Sequence, residues 1–235
     1  MLTLSPQAVF SPRSLTQDAL VLRQVFQALD ASSCPYSYNF HMHTVCSDGQ
    51  LQPEELANQA ISLGLKGFAV TDHHTTSGYR LVQAALTAWE QNHCDTAVPR
   101  LWSGIEVTSV LLGVEVHILG YAFDADHPAL MPYLLRQSPG LEEAAAARVI
   151  EAIHQAGGLA VLAHPARYKR SATELIPAAA SLGIDGVETY YAYTNPNPWS
   201  PSLRQTEEVL RLSSTFGLLN TCGTDTHGPN LLQRL

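Results

Sequence analysis

The residues best suited to chemistry in this chain are His41 and His43, one residue apart in the run YNFHMHTVCSDG. In an extended strand, side chains two apart project from one face, so both imidazoles aim at a common point while Met42 faces away. Asp48 lies five residues past His43, in a turn marked by Ser47, Asp48 and Gly49, where its carboxylate can fold back over the strand end. Two nitrogens and a carboxylate so placed suit a metal ion. A strand carrying two ordinary histidines has the same pattern, because short motifs match by chance. The remainder of the chain decides between them.

Further donors follow apolar, strand-like runs: His73 after GFAVTD, Glu106 after LWSGI, His164 after LAVLA, and Asp225 and His227 after LNTCG, with His117 inside EVHILG. Packing explains one such residue, not all of them. Imidazole and carboxylate without thiolate is a ligand set for zinc, manganese or iron(II), and a bridging carboxylate is typical of clustered sites. His41, His43, Asp48, His73, Glu106, His117, His164, Asp225 and His227 are nine groups, too many for one ion and enough for three if Glu106 bridges two of them.

These donors need a scaffold that gathers them. Residues 36–43, 67–73, 101–108, 114–121, 159–164, 186–191 and 218–224 read as strands, and helical patterns connect most of them. Pro53 opens one helix, which Gly64 ends, and Gly157-Gly158 ends an Ala-rich one. Only residues 109–113 separate the third strand from the fourth, which predicts a hairpin there. Seven strands with mostly helical crossovers predict an α/β fold, a distorted seven-stranded (β/α)7 barrel with its chemistry at the C-terminal strand ends. Residues 1–35 form a helical extension ahead of the barrel at 36–235, its helix capped by Ser14 or Thr16.

Composition narrows the function. The chain has 235 residues, 46% hydrophobic and 14% charged, which suits a folded core. With 13 Lys and Arg against 21 Asp and Glu, the net charge of -8 argues against a groove for duplex nucleic acid, though not against a local anion site. Cys34, Cys46, Cys94 and Cys222 form no C-x-x-C pair, and no apolar run has the length to span a membrane, so a cytoplasmic protein without a membrane partner is expected.

The motifs HxHTxxSDG, TDH, GIE, VHILGY, AHP and GTDTH, in that order over residues 36–228, resemble those of the PHP (polymerase and histidinol phosphatase) domain family. The resemblance implies a trinuclear site. His41, His43, Glu106 and Asp225 would hold the first metal, Glu106, His117 and His164 the second, and Asp48, His73 and His227 the third. Within the family, VEVHILGYAFDADHP and AHPARYK look most like members that remove phosphate from nucleotide or short oligonucleotide ends, which usually carry a longer helical insert where this chain has residues 121–157.

Charge then indicates the chemistry. Three ligand carboxylates bring about -3 and three divalent ions about +6, an excess near +3 that attracts phosphate. Water bridging two such ions has its pKa lowered from 15.7 toward about 7, giving a metal-bridging hydroxide. The expected activity is hydrolysis of a phosphate monoester on a small molecule or nucleotide. Three other readings stay open: a 3′-5′ exonuclease, an amidohydrolase on the same site, and a non-catalytic PHP module. A filled ligand set speaks against the last.

Residues around the motifs have weaker signals. Arg167, three after His164, has a planar fork that matches phosphate oxygens, or is a solvated loop charge. Asp72 and His74 flank His73; either could serve in acid catalysis or cap the next helix, and Asp72 could orient a ligand imidazole. His74 stands where the family often has a carboxylate. Tyr190, Tyr191, Tyr193 and Trp199 could stack on a base or be buried on the barrel. Glu115 shares the strand face of His117 and could support it, while His93, His127 and His154 read as surface or packing residues.

Overall fold

Caps, prolines and glycines set the ends of most helices. The computed structural model describes residues 18–93 and 97–235. In α1 (Ala19–Gln27) the cap is Asp18, whose carboxylate accepts from the Val21 amide at 3.0 Å; Ser14 and Thr16 lie outside the described residues. Capping boxes open α2 (Pro53–Ser62), from Gln52 to Glu55, and α5 (Ala172–Ser181), from Ser171 to Glu174. The other helices are α3 (Ser77–Asn92), α4 (Ala146–Gln155) and α6 (Leu203–Phe216), the last ended by left-handed Gly217. Two prolines reduce Pro128–Tyr133 to a 3-10 helix.

Among the described residues, eight strands form two sheets in place of the expected seven in one closed barrel. β1 (Tyr38–Asn39), β2 (Gly67–Ala69) and β3 (Arg100–Trp102) make a parallel sheet. The second sheet runs in order through β4 (Gly104–Leu111), β5 (Val114–Tyr121), β6 (Leu159–Leu162), β7 (Gly186–Tyr190) and β8 (Leu219–Cys222). The extra strand arises at Ser103, where the predicted third strand breaks. There the Ser103 hydroxyl donates to the Phe123 carbonyl at 2.7 Å and its carbonyl accepts from the Ala122 amide at 2.9 Å, so the chain leaves β2 and joins β5. Gly104 permits this change of partner, since a Cβ there would stand 2.4 Å from the Val70 carbonyl oxygen.

The hairpin appears where its short connection predicted it, with β4 and β5 antiparallel over eight residue pairs. β5 is antiparallel to β6 as well, and β6, β7 and β8 are parallel. The two sheets meet at isolated parallel bridges, Met42 with Thr226 and His73 with Glu106. Each bridge contains or adjoins a candidate ligand, so the joints between the sheets are also where the chemistry-bearing residues gather.

An apolar floor lies beneath them. Leu22 and Phe26 of α1 are buried with Phe40, Trp102, Leu119, Tyr121 and Val161. The Phe26 ring packs edge-on to Phe40 at 4.9 Å and to Tyr121 at 5.5 Å. Arg23 and His154 both reach the Asp185 carboxylate, at 2.5 and 2.8 Å, tying α1 to the sheet's outer end. Among the described residues, no helix is long and apolar enough to cross a membrane. Because Phe26 is 1% exposed, Phe26→Ala is expected to cost about 3–5 kcal/mol in denaturant unfolding; a loss below about 1 kcal/mol would show that α1 does not hold the floor.

Candidate metal centre

Glu106 is the hub. It lies on β4, 1% exposed, with both carboxylate oxygens directed at imidazoles. Oε2 stands 3.0 Å from His41 Nε2, 3.1 Å from His43 Nε2 and 3.5 Å from His73 Nε2. Oε1 stands 2.7 Å from His117 Nδ1 and 3.4 Å from His164 Nε2. His117 reaches the hub from within β5 and not from a strand's C-terminal end, because the hairpin reverses that strand. In the register, Thr108 faces His117 and Glu106 faces Leu119, so the Glu106–His117 contact is diagonal.

Two further carboxylates complete the cluster. Asp225 Oδ1 lies 3.4 Å from His41 Nε2 and 3.3 Å from His43 Nε2, while Asp48 lies 3.5 Å from His43, 3.7 Å from His73 and 3.2 Å from His227. Three groups have ligand atoms within 4.8 Å of one another: His41, His43, Glu106 and Asp225; His43, Asp48, His73 and His227; and His73, Glu106 and His117. The first coincides with the set implied for the first metal. The others differ from the implied sets in detail, since His43 also faces Asp48 and His73 stands between two groups. His164 falls outside these groups; its Nε2 stands 3.4 Å from Glu106 Oε1 and its ring packs beside those of His41 and His117.

The donors fit cations. Among the described residues, neither ring nitrogen of His43 has an aligned hydrogen-bond partner, although carboxylate oxygens lie 3.1 to 3.5 Å away, and buried His164 Nδ1 likewise has none. For His43, oxygens at that distance but off the N–H directions converge on a shared point more than on one another. Hydrogen bonds fix ring orientation elsewhere: His227 Nδ1 donates to the Asp225 carbonyl at 2.8 Å, leaving Nε2 toward Asp48.

Charge inside the cluster is strongly coupled. Burial works against a charged His43, but Asp225 and Glu106 outweigh it and lift its pKa to about 9. His41 moves well up in the same way, against burial, through Glu188, Glu106 and Asp225. Glu106 and Asp225 are held well below the usual carboxylate range, their burial outweighed by neighbouring histidines. For His73 burial prevails, and its pKa falls to about 4.

The flanking residues divide. Asp72 is buried and accepts from the Thr44 amide and hydroxyl at 2.7 and 2.8 Å and from the Ser47 hydroxyl at 2.7 Å. Its described hydrogen bonds therefore brace the loop between His43 and Asp48 and do not orient His73. His74 places Nε2 at 3.0 Å from the Thr108 hydroxyl. Arg167 donates to Asp225 Oδ2 at 3.3 Å, with its side chain 45% exposed. Tyr190, Tyr191 and Trp199 are buried, and the Tyr191 hydroxyl donates to Asp225 at 2.7 Å. Glu115 is exposed.

Two contributors escaped the sequence reading. Glu188 on β7 is fully buried; Oε1 accepts from His41 Nδ1 at 2.9 Å and Oε2 accepts from the His164 amide at 2.9 Å. A carboxylate inside the apolar run GVETY was the available signal. Arg234 donates to Asp225 Oδ2 at 2.9 Å, and no motif marks it. Gly223 lets β8 pass close to the first histidine, since a Cβ there would fall 2.2 Å from that of His41; the Asp225 amide then reaches the His41 carbonyl at 2.8 Å.

Comparison with known proteins agrees with this geometry. The PHP domain profile matches residues 39–223. The chain is 25% identical over 273 aligned positions to the 5′-3′ exoribonuclease Rnm of Salmonella typhimurium, covering 86% of this chain and 89% of that one. That alignment is longer than the chain itself, so the relative carries segments that this protein lacks. A 3′,5′-nucleoside bisphosphate phosphatase of Chromobacterium violaceum is 34% identical over 122 residues, 52% of this chain and 39% of that one. Among solved structures, an amidohydrolase from Chromobacterium violaceum has a TM-score of 0.67 at 20% identity, covering 85% of this chain and 90% of that one. A predicted metal-dependent phosphoesterase from Bifidobacterium adolescentis has a TM-score of 0.65 at 23% identity, covering 83% and 88%. The chain belongs to the PHP domain family, and with it is a metal-dependent hydrolase of phosphoester bonds.

Two outcomes follow for metal uptake. A proton must leave His43 before either of its ring nitrogens can hold a cation, so affinity for Zn2+ or Mn2+ should rise with pH and level off above about 9; calorimetric affinities that stay flat from about pH 6 to 9 would contradict this. Glu188→Ala should weaken metal binding about 10–100-fold by releasing the His41 ring, with Glu188→Gln retaining part of it. Unchanged affinity in both folded variants would make Glu188 a packing residue.

Proposed function

We propose that this protein hydrolyses a terminal phosphate ester on a nucleotide or short oligonucleotide, using up to three divalent ions held by His41, His43, Asp48, His73, Glu106, His117, His164, Asp225 and His227. The observation that carries this reading is the single buried Glu106 carboxylate facing five histidines, with two further carboxylates at the edge of the same cluster. When bound, zinc, manganese or iron would supply an acidified water and neutralise phosphate oxygens. The chain's own residues supply position. Glu188 sets the His41 ring, Asp72 braces the loop that carries Asp48, and Tyr191 and Arg234 hold Asp225. Arg167 spends one nitrogen on Tyr191 and Asp225 and has other donors left to receive a phosphate oxygen. His74, its pKa lowered first by burial and then by His117, stands 3.0 Å from the Thr108 hydroxyl on the wall of the site and is better suited to accept a proton there than to supply one.

A second reading, stepwise hydrolysis of RNA from its 5′ end, is favoured by the exoribonuclease relatives, which match over most of both chains. That direction differs from the 3′-5′ polarity of the exonuclease alternative. Nucleoside monophosphates, bisphosphates, histidinol phosphate and 5′-phosphorylated oligonucleotides should separate the two readings, with inorganic phosphate as the product of monoester hydrolysis and mononucleotides as the product of the other. Glu106→Gln or His43→Ala should lower kcat at least about 1000-fold in folded protein. Full activity in either variant, or no hydrolysis of any phosphoester by the metal-loaded protein, would overturn the proposal.

A further inference from the structure

The antiparallel pairing of β5 with β6 ends in an interruption made by a side chain. Ile118 pairs with Leu162, Leu119 with Val161, Gly120 with Ala160 and Tyr121 with Leu159. In the same register His117 comes opposite Ala163, and a hydrogen-bonded pair of this kind ordinarily exchanges two backbone bonds. One of them is present, from the Ala163 amide to the His117 carbonyl at 3.1 Å. The other is replaced. The His117 amide donates to the Tyr168 hydroxyl at 2.7 Å, and that hydroxyl donates in turn to the Ala163 carbonyl at 3.2 Å. A phenol is un-ionised at neutral pH, with one proton to give and lone pairs to receive with, so it spans both backbone groups and leaves neither unpaired.

This splice stands between two candidate ligands. His117 is one of its partners, and His164 directly follows the other. The Tyr168 ring lies 5.3 Å from the His164 ring and 6.4 Å from the His117 ring, and the two imidazoles are 5.5 Å apart at 68° to each other. Both face the same oxygen, Glu106 Oε1, which is 2.7 Å from His117 Nδ1 and 3.4 Å from His164 Nε2. A direct ladder bond is about 2.9 Å long, whereas the path through the hydroxyl consists of two bonds, so β5 and β6 fan apart at the level of these rings. At that point His164 adopts φ of +25° and its amide turns to Glu188 Oε2 at 2.9 Å. The loop that brings Tyr168 back is itself tied down, since the Ala166 amide donates to the Tyr193 hydroxyl at 3.1 Å and the Tyr168 ring packs on the core.

We propose that Tyr168 is a positioning residue whose hydroxyl sets the spacing of His117 and His164 across Glu106 Oε1, and so determines how tightly these three groups hold a cation. The proposal rests on the ligand set of the phosphoester reading above and adds a residue that acts through two of those ligands. Packing needs only the ring of Tyr168; the splice needs its oxygen.

Tyr168→Phe keeps the ring and deletes that oxygen. Zn2+ is titrated by calorimetry into the metal-free full chain, in the wild type, in Tyr168→Phe and in His164→Ala, the last identifying the binding event that depends on this set. Tyr168→Phe should weaken that event about 10–100-fold and leave the other events unchanged. Hydrogen exchange of the His117 amide, followed in the wild type alone, should slow when Zn2+ is added, because the splice and the cation hold the same residue. Full affinity in folded Tyr168→Phe, or equal weakening of every event, overturns the proposal. Should that variant not fold, an exchange rate at His117 that Zn2+ leaves unaltered overturns it instead. Phosphate release is measured in parallel. If these differences in Zn2+ binding are seen but the loaded wild type hydrolyses no phosphoester, the positioning role stands and the catalytic reading fails.

Discussion

The constraint on which the rest depends is the burial of Glu106. An ionised carboxylate removed from water costs several kcal/mol unless opposite charge and hydrogen bonds replace the solvent. Five imidazoles contributed by β5 and by three separate loops surround this one. Each must arrive at the right height, so strand register, the hairpin and the breaks at Ser103 and Gly104 all serve to bring distant parts of the chain to one group. The arrangement is costly without cations and favourable with them, which links the stability of this end of the fold to its ligands.

Around the hub, support is layered. Glu188 touches both the His41 ring and the His164 backbone, so one buried side chain sets two strand ends. Asp225 receives Tyr191, Arg167 and Arg234 on its outer oxygen, while its inner oxygen faces His41 and His43. Asp72 bonds back to Thr44 and Ser47 and stiffens the turn that presents Asp48. These contacts fix rotamers before any ligand binds, which is how a site limits the entropy lost on binding.

Most of the candidate ligands could be read from the chain because they sit at the edge of apolar runs, which survive folding nearly unchanged, while His117 lies inside such a run and Asp48 in the turn after one. Residues 114–121 form one strand as expected, and the hairpin followed from a connection, residues 109–113, too short for a helical crossover. Less could be read where tertiary contacts override local pattern. The division of residues 100–111 into two strands depends on a hydrogen bond to Phe123, and no local periodicity encodes a partner twenty residues away. Glu188 was hidden for a similar reason, since a single acid in a strand has many explanations until its neighbours in space are known. Positive φ angles at His74, His164 and Asp225 are backbone facts with no compositional signature.

The aromatic floor has a geometric consequence. With Phe26 of α1 and Tyr121 of β5 both packed edge-on against Phe40, the residue just before His41 is clamped between two elements distant in sequence, so the extension before the first strand and the hairpin jointly anchor the backbone from which the first histidine projects.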